Sequence, residues 1–324
     1  MRKTGDHDFR LSRSEFLMGL AATGLTVPWQ LEIAWGADAG AAPVEEIASG
    51  VFVHHGVHAL ASAGNGGDIC NAGFVVGSAG VAVIDSGGSR RTGAAIRAAI
   101  AAKTPLPVTH VINTHMHPDH VLGNAAFASD KPVYAGHHKL LRALSERSES
   151  YLEAAKEQLG GDAFAGTEVV LPTLGVDNET TIDLGGRTLT LTARPTTHTN
   201  NDLTVRDSGS DTLFLGDLVF VEHLPTLDGS LRGWLKLLGV LEKEPAARVV
   251  PGHGPVTMAW PAAASDIKRY LNVLAEDVRK SIAAGNTMTN AMETAAQSEK
   301  DKWQLFAEHN ARNVSAAFAE LEWE

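Results

Sequence analysis

Short apolar runs separated by glycine-rich turns dominate the chain after residue 50. Such runs predict strands over 51–53, 73–77, 81–85, 108–113, 131–135, 188–193, 203–206, 212–215 and 248–250. Longer segments predict helices over 92–102, 138–159, 231–241 and most of 261–324. Strands that come first in hairpins and then alternate with helices favour an α+β fold, in which two mixed sheets pack together under helices. No low-complexity linker interrupts residues 43–324, which predicts one compact domain with a C-terminal helical segment at about 261–324.

The first 42 residues differ from the rest of the chain. Basic residues between positions 2 and 13 precede an uncharged run at 16–29 and a stretch of small residues at 36–42. This order is typical of a secretory signal, and the uncharged run is shorter than the ~20 apolar residues that a membrane-spanning helix needs. The segment around Arg13 is similar to a twin-arginine signal, although Ser14 stands in place of the second arginine. We therefore predict a periplasmic protein, exported by a Tat-like or Sec route and not inserted in the membrane once the leader is removed. The alternative is an ordinary N-terminal amphipathic helix.

The composition narrows the classes of function. Of the 324 residues, 44% are hydrophobic and 20% are charged, as in folded proteins with a substantial core. The 27 basic and 38 acidic residues give a net charge of −11, which argues against binding of nucleic acid through a basic surface. Cys70 is the only cysteine, so neither an intramolecular disulfide nor a cysteine-cluster metal site can form. A metal would therefore be bound by carboxylates and by some of the 14 histidines.

The strongest chemical signal is the segment Thr-His-Met-His-Pro-Asp-His at 114–120, directly after the strand predicted at 108–113. It places three imidazoles and one carboxylate at the end of a strand, where a helix is about to begin. His115 and His117 can face one ion if the backbone between them is extended, because side chains two residues apart then share a side. Asp119 and His120 would turn toward a neighbouring position. The segment predicts a metal site.

Three later residues have the same character. His198 lies in a predicted loop, while Asp217 and His253 come directly after predicted strands, with glycine beside both. Imidazole and carboxylate ligands without thiolate suit zinc, and they also suit iron or manganese. Two such ions can share a hydroxide that attacks a carbonyl or similar centre, while the neighbouring ion stabilises the oxyanion. Asp119 could also orient the nucleophile or pass a proton to the leaving group, so it is the predicted catalytic residue.

The set of residues resembles the metallo-β-lactamase superfamily, whose members have an HxHxDH motif followed by distant His, Asp and His ligands. The resemblance extends from about Val51 to Trp260 and implies a four-layer αββα sandwich. It further implies one zinc ion held by His115, His117 and His198, a second held by Asp119, His120 and His253, and Asp217 bridging the two. Asp85, at the end of a predicted strand, matches the acidic position that braces the metal-binding loops of that family.

Some features of the sequence differ from those of many zinc β-lactamases and resemble particular branches of the superfamily. Many zinc β-lactamases have cysteine where Asp217 stands, and Asp217 resembles instead the glyoxalase II-like and general hydrolase branches. The segments 53–56, 65–68, 230–234 and 319–324 are similar to the quinoprotein relay system zinc metallohydrolases, a periplasmic group related to a hydrolase associated with sulfur oxidation. This resemblance implies a small-molecule substrate and a link to quinoprotein dehydrogenase pathways. A zinc β-lactamase and a periplasmic accessory protein that binds metal without turnover are the alternatives.

Other histidines are weaker candidates. His54, His55 and His58 precede a glycine-rich loop that would cover the metals as a substrate flap, although hairpin or surface positions explain them as well. His223 follows Asp217 by six residues and could reach the substrate. His309 and Arg312, in the predicted terminal helix, could form a cap over the site.

Overall fold

The structure is a computed structural model that describes residues 40–324. The leader predicted at 1–42 therefore lies, except for its last three residues, outside the described residues. Within 40–324 the strands are β1 Glu45–Ala48, β2 Val51–His54, β3 Ala72–Val76, β4 Val81–Ile84, β5 Val108–Ile112, β6 Val133–His137, β7 Leu174–Val176, β8 Glu179–Asp183, β9 Thr188–Ala193, β10 Leu203–Asp207, β11 Thr212–Phe220 and β12 Arg248–His253. The α-helices are α1 Arg90–Lys103, α2 Pro118–Val121, α3 Leu140–Phe164, α4 Leu231–Leu241, α5 Ser265–Ala283, α6 Met288–Thr294 and α7 Phe306–Leu321.

The strands form two sheets in the described part of the chain. The first has the order β1-β2-β3-β4-β5-β6-β7, and the second has the order β12-β11-β10-β9-β8. Strands β1 to β4 pair antiparallel, whereas β4 to β7 pair parallel. In the second sheet β8 to β11 pair antiparallel, and β12 pairs parallel with β11. Both sheets are therefore mixed, as predicted.

Three of the apolar cores that residues 40–324 form stack across the sandwich. Val51 and Val53 of β2 belong to the core between the sheets, together with Leu191 and Phe214 of the second sheet. Because neighbouring side chains of a strand alternate in direction, Phe52 joins instead the core that the first sheet shares with α1. The outer face of the second sheet is covered by α4, α5 and α7, which contribute the residues Trp234, Tyr270, Leu271 and Val314. The layers are helix, sheet, sheet and helix, which confirms the predicted αββα sandwich.

The predicted strands and helices agree with the structure in kind but not always in extent. Strands β1, β7 and β8 were not predicted, and β11 continues to Phe220 rather than ending at 215. Asp217 consequently lies inside a strand, and the prediction that it follows the strand end is wrong. His253 is the last residue of β12 rather than the residue after it. The segment 261–324 is helical as predicted, and no helix of the described residues is long and apolar enough to cross a membrane.

Candidate metal centre

The histidine-rich segment joins β5 to α2. His117 has extended backbone (φ −65°, ψ 145°), and Pro118 is the first residue of the helix, where its missing N–H has no intrahelical role. Asp85 braces the segment, because its carboxylate accepts hydrogen bonds from the Thr114 backbone N–H (2.8 Å) and from the Thr114 hydroxyl (2.7 Å). The same carboxylate lies 2.9 Å from His120 Nδ1. One buried acid thus fixes both ends of the segment.

The second sheet brings the distant residues to the same place. Strands β11 and β12 are parallel neighbours, so Asp217 and His253 meet at one edge of the sandwich. Gly216 makes the bend beside Asp217 with a φ of +52°, which side chains rarely adopt. A Cβ on Gly252 would lie 2.0 Å from Asp217 Oδ1, so only glycine leaves room for that carboxylate. His198 enters from the loop between β9 and β10.

Four of the predicted ligands form a first group. Their donor atoms, from His115, His117, His198 and Asp217, all lie within 4.8 Å of one another. His198 Nε2 is 3.0 Å from His117 Nδ1 and 3.2 Å from Asp217 Oδ2. His115 Nε2 is 3.5 Å from the same carboxylate oxygen. Ligands at about 2.0–2.1 Å from a tetrahedral ion lie about 3.3 Å apart, so this spacing suits one small cation.

The other predicted ligands form a second group around the opposite oxygen of Asp217. Asp217 Oδ1 lies 3.1 Å from His120 Nε2 and 3.5 Å from His253 Nε2. Asp119 Oδ2 completes this group at 3.4 Å from His120 Nε2 and 3.3 Å from His253 Nε2. The structure thus brings all seven predicted side chains together, with the two oxygens of Asp217 facing different groups.

The polar atoms at the centre of the cluster test whether cations fit there. His115 Nε2, His120 Nε2 and Asp217 Oδ1 are fully buried and have no hydrogen-bond partner within residues 40–324. Buried polar atoms are nearly always paired in proteins, since leaving one unpaired costs about 1–3 kcal/mol. These unpaired atoms point to the centres of the two groups and carry lone pairs that a cation accepts. The residues therefore fit divalent cations, and nitrogen and oxygen donors suit zinc, iron or manganese.

In four of these histidines the second ring nitrogen has a partner of its own, and this partner sets the orientation of the imidazole. His115 Nδ1 lies 3.0 Å from the Thr114 hydroxyl, and His198 Nδ1 lies 2.7 Å from the Thr226 carbonyl oxygen. His120 Nδ1 faces Asp85, as described above. His117 Nε2 lies 3.1 Å from Asp228 Oδ2. Such partners fix the tautomer and direction of metal-binding histidines, and Asp228 is one that the sequence did not reveal.

His253 is held in another way. Its Nδ1 is buried without a hydrogen-bond partner in the described part of the chain, and its ring stacks on Phe220, with centroids 4.9 Å apart and planes 8° apart. The backbone around it is fixed by Asn71, whose side-chain amide donates to the carbonyl oxygens of Pro251 and Gly254, both at 3.0 Å. No spacing rule in the sequence indicated this role of Asn71.

The carboxylates and imidazoles of the cluster shift one another's pKa values. Burial would raise the pKa of Asp217, but His120, His253 and His115 hold that pKa well below its usual range. His120 and His253 likewise hold the pKa of Asp119 low against the effect of burial. Burial would lower the pKa of His253, but Asp217 and Asp119 raise it to about 9. The carboxylates are thus ionised and balanced by protons on imidazoles, which cations can replace.

Cys70 is an unexpected neighbour of the cluster. Its thiol donates a hydrogen bond to the Asp119 carbonyl oxygen (2.9 Å). Its sulfur lies within 4.8 Å of a carboxylate oxygen of Asp119 and of a ring nitrogen of His120. Burial raises the pKa of this thiol to about 12. The thiol is therefore protonated near neutral pH, and Cys70 acts as a hydrogen-bond donor to the segment that carries Asp119.

The weaker histidine candidates have different positions. His54 lies away from the cluster, with Nε2 2.8 Å from Asp68 and Nδ1 2.8 Å from the Pro43 carbonyl oxygen. His58 Nδ1 is 3.8 Å from Glu222, and its ring is 5.6 Å from that of His55. His223 stacks on His253 at 4.8 Å, and burial together with His253 lowers the pKa of His223 to about 3. The flap role of His54, His55 and His58 stays a prediction.

A cavity of about 390 Å³ opens above the cluster. Its lining includes Asp119, Asp217 and His253, and also His309 and Arg312 of α7. The segment after β2 contributes Ala59, Leu60 and Ala61 to the same cavity. A small molecule in this space would lie against both groups of ligands.

Comparisons with known proteins agree with this architecture. A family model described as the metallo-beta-lactamase superfamily matches residues 65–253, which contain the seven clustered side chains. Among solved structures, a metallo-beta-lactamase from Pontibacter korlensis is 21% identical to the chain, with a TM-score of 0.58 over 71% of this chain and 98% of that protein. The stereoselective inverting sec-alkylsulfatase Pisa1 from Pseudomonas sp. is 15% identical, with a TM-score of 0.65 over 86% of this chain and 50% of that protein. No curated protein sequence matches the chain significantly. At these identities the likeness to the solved structures is one of fold.

Proposed function

Because this chain belongs to the metallo-beta-lactamase superfamily, we propose that it is a hydrolase that uses two divalent cations, with zinc as the first choice, to cleave an ester, thioester or similar bond. The observation that carries this proposal is the position of Asp217. Its Oδ2 faces His115 and His198, and its Oδ1 faces His120 and His253. A carboxylate that serves two separate groups of imidazoles is suited to bridge two ions.

The residues divide into two ligand sets. His115, His117 and His198 would hold the first ion, Asp119, His120 and His253 would hold the second, and Asp217 would be shared. When bound, a pair of divalent cations supplies a nucleophile at neutral pH by acidifying water, and it stabilises negative charge that develops on the substrate. The protein contributes the geometry, through the partners of each imidazole described above.

Asp119 is the residue that we assign to proton transfer. It lines the cavity, and its carboxylate is ionised because His120 and His253 hold its pKa low. An ionised carboxylate at the cavity wall can orient a nucleophile, accept its proton and pass that proton to a leaving group. The hydrogen bond from the Cys70 thiol to the Asp119 carbonyl oxygen fixes the backbone at this position.

The proposal also includes that the protein belongs to the quinoprotein-associated branch of the family and that it is exported to the periplasm. The segment 230–234, one of those that resemble the quinoprotein-associated group, packs on the loop of His198. The Ser230 backbone N–H donates to the Thr197 carbonyl oxygen (2.8 Å), and the Trp234 ring lies 5.2 Å from that of His198. Glu320, in the tail segment, accepts a hydrogen bond from the Ser230 hydroxyl (2.7 Å). These contacts support a common role for the two segments, and export to the periplasm rests on the pattern of residues 1–42 alone.

The test combines metal analysis with a substrate panel. Purified protein should contain about two divalent ions per chain, and Asp217→Asn should contain one or fewer, because the shared ligand loses its charge. Chelator-sensitive hydrolysis should appear for at least one ester or thioester in a panel that also contains a sulfate ester, a phosphate ester and nitrocefin. Asp119→Ala should lose that hydrolysis. Asp162→Ala, on the exposed side of α3, is the matched control and should behave like the wild type.

Other outcomes would favour the alternatives. Turnover of nitrocefin alone would make the protein a β-lactamase. Two bound ions with no hydrolysis of any panel member would favour an accessory protein that binds metal without turnover. A chain without bound metal after reconstitution would contradict the proposal as a whole.

A further inference from the structure

A second group of polar side chains lies beside the cluster of seven predicted ligands and is not part of it. His309 and Arg312 are three residues apart on α7, so they share one face of the helix. Both line the cavity above the cluster, as does His223. The ring centroids of His223 and His309 are 5.5 Å apart. These three residues form the polar end of the cavity on the side of α7.

His223 has an unused polar atom at this end. The residue is 5% exposed, and its Nδ1 is buried and has no hydrogen-bond partner among the residues that the structure describes. Its backbone is fixed, because the next residue, Leu224, donates its N–H to the Gln304 carbonyl oxygen (2.9 Å). The ring is held in place because it stacks against the rings of His253 and Phe220. A buried polar atom without a partner is rare in proteins, and here it belongs to a residue that lines the cavity.

Arg312 supplies a positive charge at the same end. Its side chain is 60% exposed and makes one ion pair with the described residues, at 3.4 Å from Asp228 Oδ1. A guanidinium has five N–H donors, so most of them remain available for a ligand in the cavity. Among the described residues that line this cavity, Arg312 is the only lysine or arginine. Its planar fork matches the two oxygens of a carboxylate or related oxyanion.

Another part of the cavity wall is apolar. Ala59, Leu60, Ala61 and Ile69 line it. Leu60 is 51% exposed in spite of its apolar side chain. The cavity therefore offers one cation with hydrogen-bond donors, an apolar surface, and contact with the cluster through Asp119, Asp217 and His253.

We propose that His223, His309 and Arg312 form an anion subsite, and that the natural substrate carries a carboxylate or similar oxyanion near the bond that is cleaved. The apolar wall takes the carbon skeleton of this amphiphilic substrate. This inference rests on the proposed hydrolase function, because the subsite adjoins the ligands assigned there. It adds the chemical class of the substrate, which neither the ligand set nor the fold defines.

Matched substrates test the subsite. 4-Nitrophenyl butyrate and mono-4-nitrophenyl succinate have acyl groups of the same length, and the second replaces a methyl group by a carboxylate. Phenyl acetate and 4-acetoxybenzoate form a second pair, with the charge on the alcohol side. The wild type should favour the charged member of at least one pair in kcat/KM. Arg312→Leu and His309→Leu should each reduce that preference about tenfold or more, because leucine cannot donate the hydrogen bond to the anion.

A binding measurement separates this inference from the proposed function. Calorimetry with succinate and with 4-hydroxybenzoate, the fragments that remain after cleavage, should give an affinity for the metal-loaded wild type that falls about tenfold in both variants. Arg279→Leu on α5 is the control and should change neither quantity, because Arg279 pairs with Glu324 at 2.7 Å and does not line the cavity. Loss of anion binding in the variants without hydrolysis of any ester would support the subsite and contradict the hydrolase. Hydrolysis of both members of each pair with the same preference in wild type and variants would overturn the subsite and leave the hydrolase standing. The absence of both succinate and 4-hydroxybenzoate binding in the wild type would overturn the subsite as well.

Discussion

Single residues decide whether the cluster can hold cations in a defined geometry. Four imidazoles have a second partner, and the most unusual of these partners is Asp228. It connects His117 Nε2, at 3.1 Å from its Oδ2, to Arg312, at 3.4 Å from its Oδ1. Burial would raise the pKa of Asp228, but His117 and Arg312 hold that pKa below its usual range. Asp228 is therefore an ionised residue that positions His117 and neutralises part of the charge on Arg312.

Replacement of Asp228 should weaken the first metal site. We expect Asp228→Ala to lower metal affinity about 10- to 100-fold, because loss of the outer partner of a metal-binding histidine has costs of this size. Asp228→Asn should restore part of the affinity, since its amide oxygen can still accept from His117. Competition with a chromophoric chelator measures the change. Asp177→Ala is the control, because Asp177 is exposed and lies 3.6 Å from the surface residue His138; an equal loss of affinity there would contradict the assignment.

The pair of His54 and Asp68 should make stability depend on pH. Burial lowers the pKa of His54, but the hydrogen bond and charge of Asp68 outweigh it and raise the pKa above the usual value of 6.5. A raised pKa in the folded state means that the protonated pair stabilises the fold fully below pH 6.5. This stabilisation is lost as the pH rises through the folded-state pKa. The wild type should therefore have a higher free energy of unfolding than Asp68→Asn. This difference between the two proteins should be about 1 kcal/mol larger at pH 5.5 than at pH 9.

Urea unfolding of the two proteins at both pH values checks this expectation. Asp162→Asn, which changes an exposed carboxylate without a histidine partner, should show no such dependence. A difference between wild type and Asp68→Asn that is the same at pH 5.5 and at pH 9 would contradict it.

The residues that the sequence revealed are those with a spacing rule. His115, His117, Asp119 and His120 occur within six positions, and His198, Asp217 and His253 lie in a predicted loop or after predicted strands. The resemblance to a family then assigned these ligands to two ions. Asp228, Asn71 and Cys70 carry no such signal, because each acts through one contact that depends on the fold. Asn71 shows this most clearly, since it reaches carbonyl oxygens about 180 residues further along the chain. Only the tertiary structure brings such partners together.

At the scale of elements, strand prediction failed where apolar alternation is weak or interrupted. Strand β8, with the sequence Glu-Thr-Thr-Ile-Asp, has one apolar residue, and β1 is an edge strand with two exposed glutamates. Strand β11 was predicted too short, because the prediction ended it at 215, directly before Gly216 and Asp217. All nine of its residues are buried, and burial on both faces keeps it extended past the glycine. Helix α4 was predicted with its correct bounds, since its apolar positions follow the helical period.

The start of α4 depends on a side chain from α7. Glu320 accepts hydrogen bonds from the Leu231 backbone N–H and the Ser230 hydroxyl, both at 2.7 Å, and from the Arg232 backbone N–H at 3.3 Å. A carboxylate at this position accepts hydrogen bonds from backbone N–H groups that have no partner within the helix. Its negative charge also interacts favourably with the positive end of the helix dipole. We expect Glu320→Ala to lower the free energy of unfolding by about 1–3 kcal/mol.

Chemical denaturation of the metal-loaded protein measures this loss. Glu322→Ala, two residues further on and exposed, is the matched control and should stay within about 0.5 kcal/mol of the wild type. Equal destabilisation by both replacements would show that the contact with α4 is not the reason. A lowered metal affinity in Glu320→Ala would show in addition that α4 supports the loop of His198.

For the whole molecule, the apolar cores should maintain the fold without metal. The cores between the sheets and under the helices contain mainly aliphatic and aromatic side chains, and none of the seven clustered residues belongs to them. Removal of metal by a chelator should therefore leave the far-UV circular dichroism unchanged and abolish hydrolysis. The free energy of unfolding should fall by about 4 kcal/mol relative to protein in zinc at a thousand times its Kd. Reloading with zinc should restore both stability and hydrolysis, and loss of helical signal in the stripped protein would contradict this expectation.

Each sheet of the sandwich is built from one continuous stretch of chain, with β1 to β7 ending at Val176 and β8 beginning at Glu179. A cut between these strands would leave both sheets intact and would separate His115, His117, Asp119 and His120 from His198, Asp217 and His253. Neither piece alone would then hold a complete set of ligands for either ion. Reassembly of two separately produced fragments would be favoured by divalent cations, so that the protein could serve as a split reporter of metal concentration.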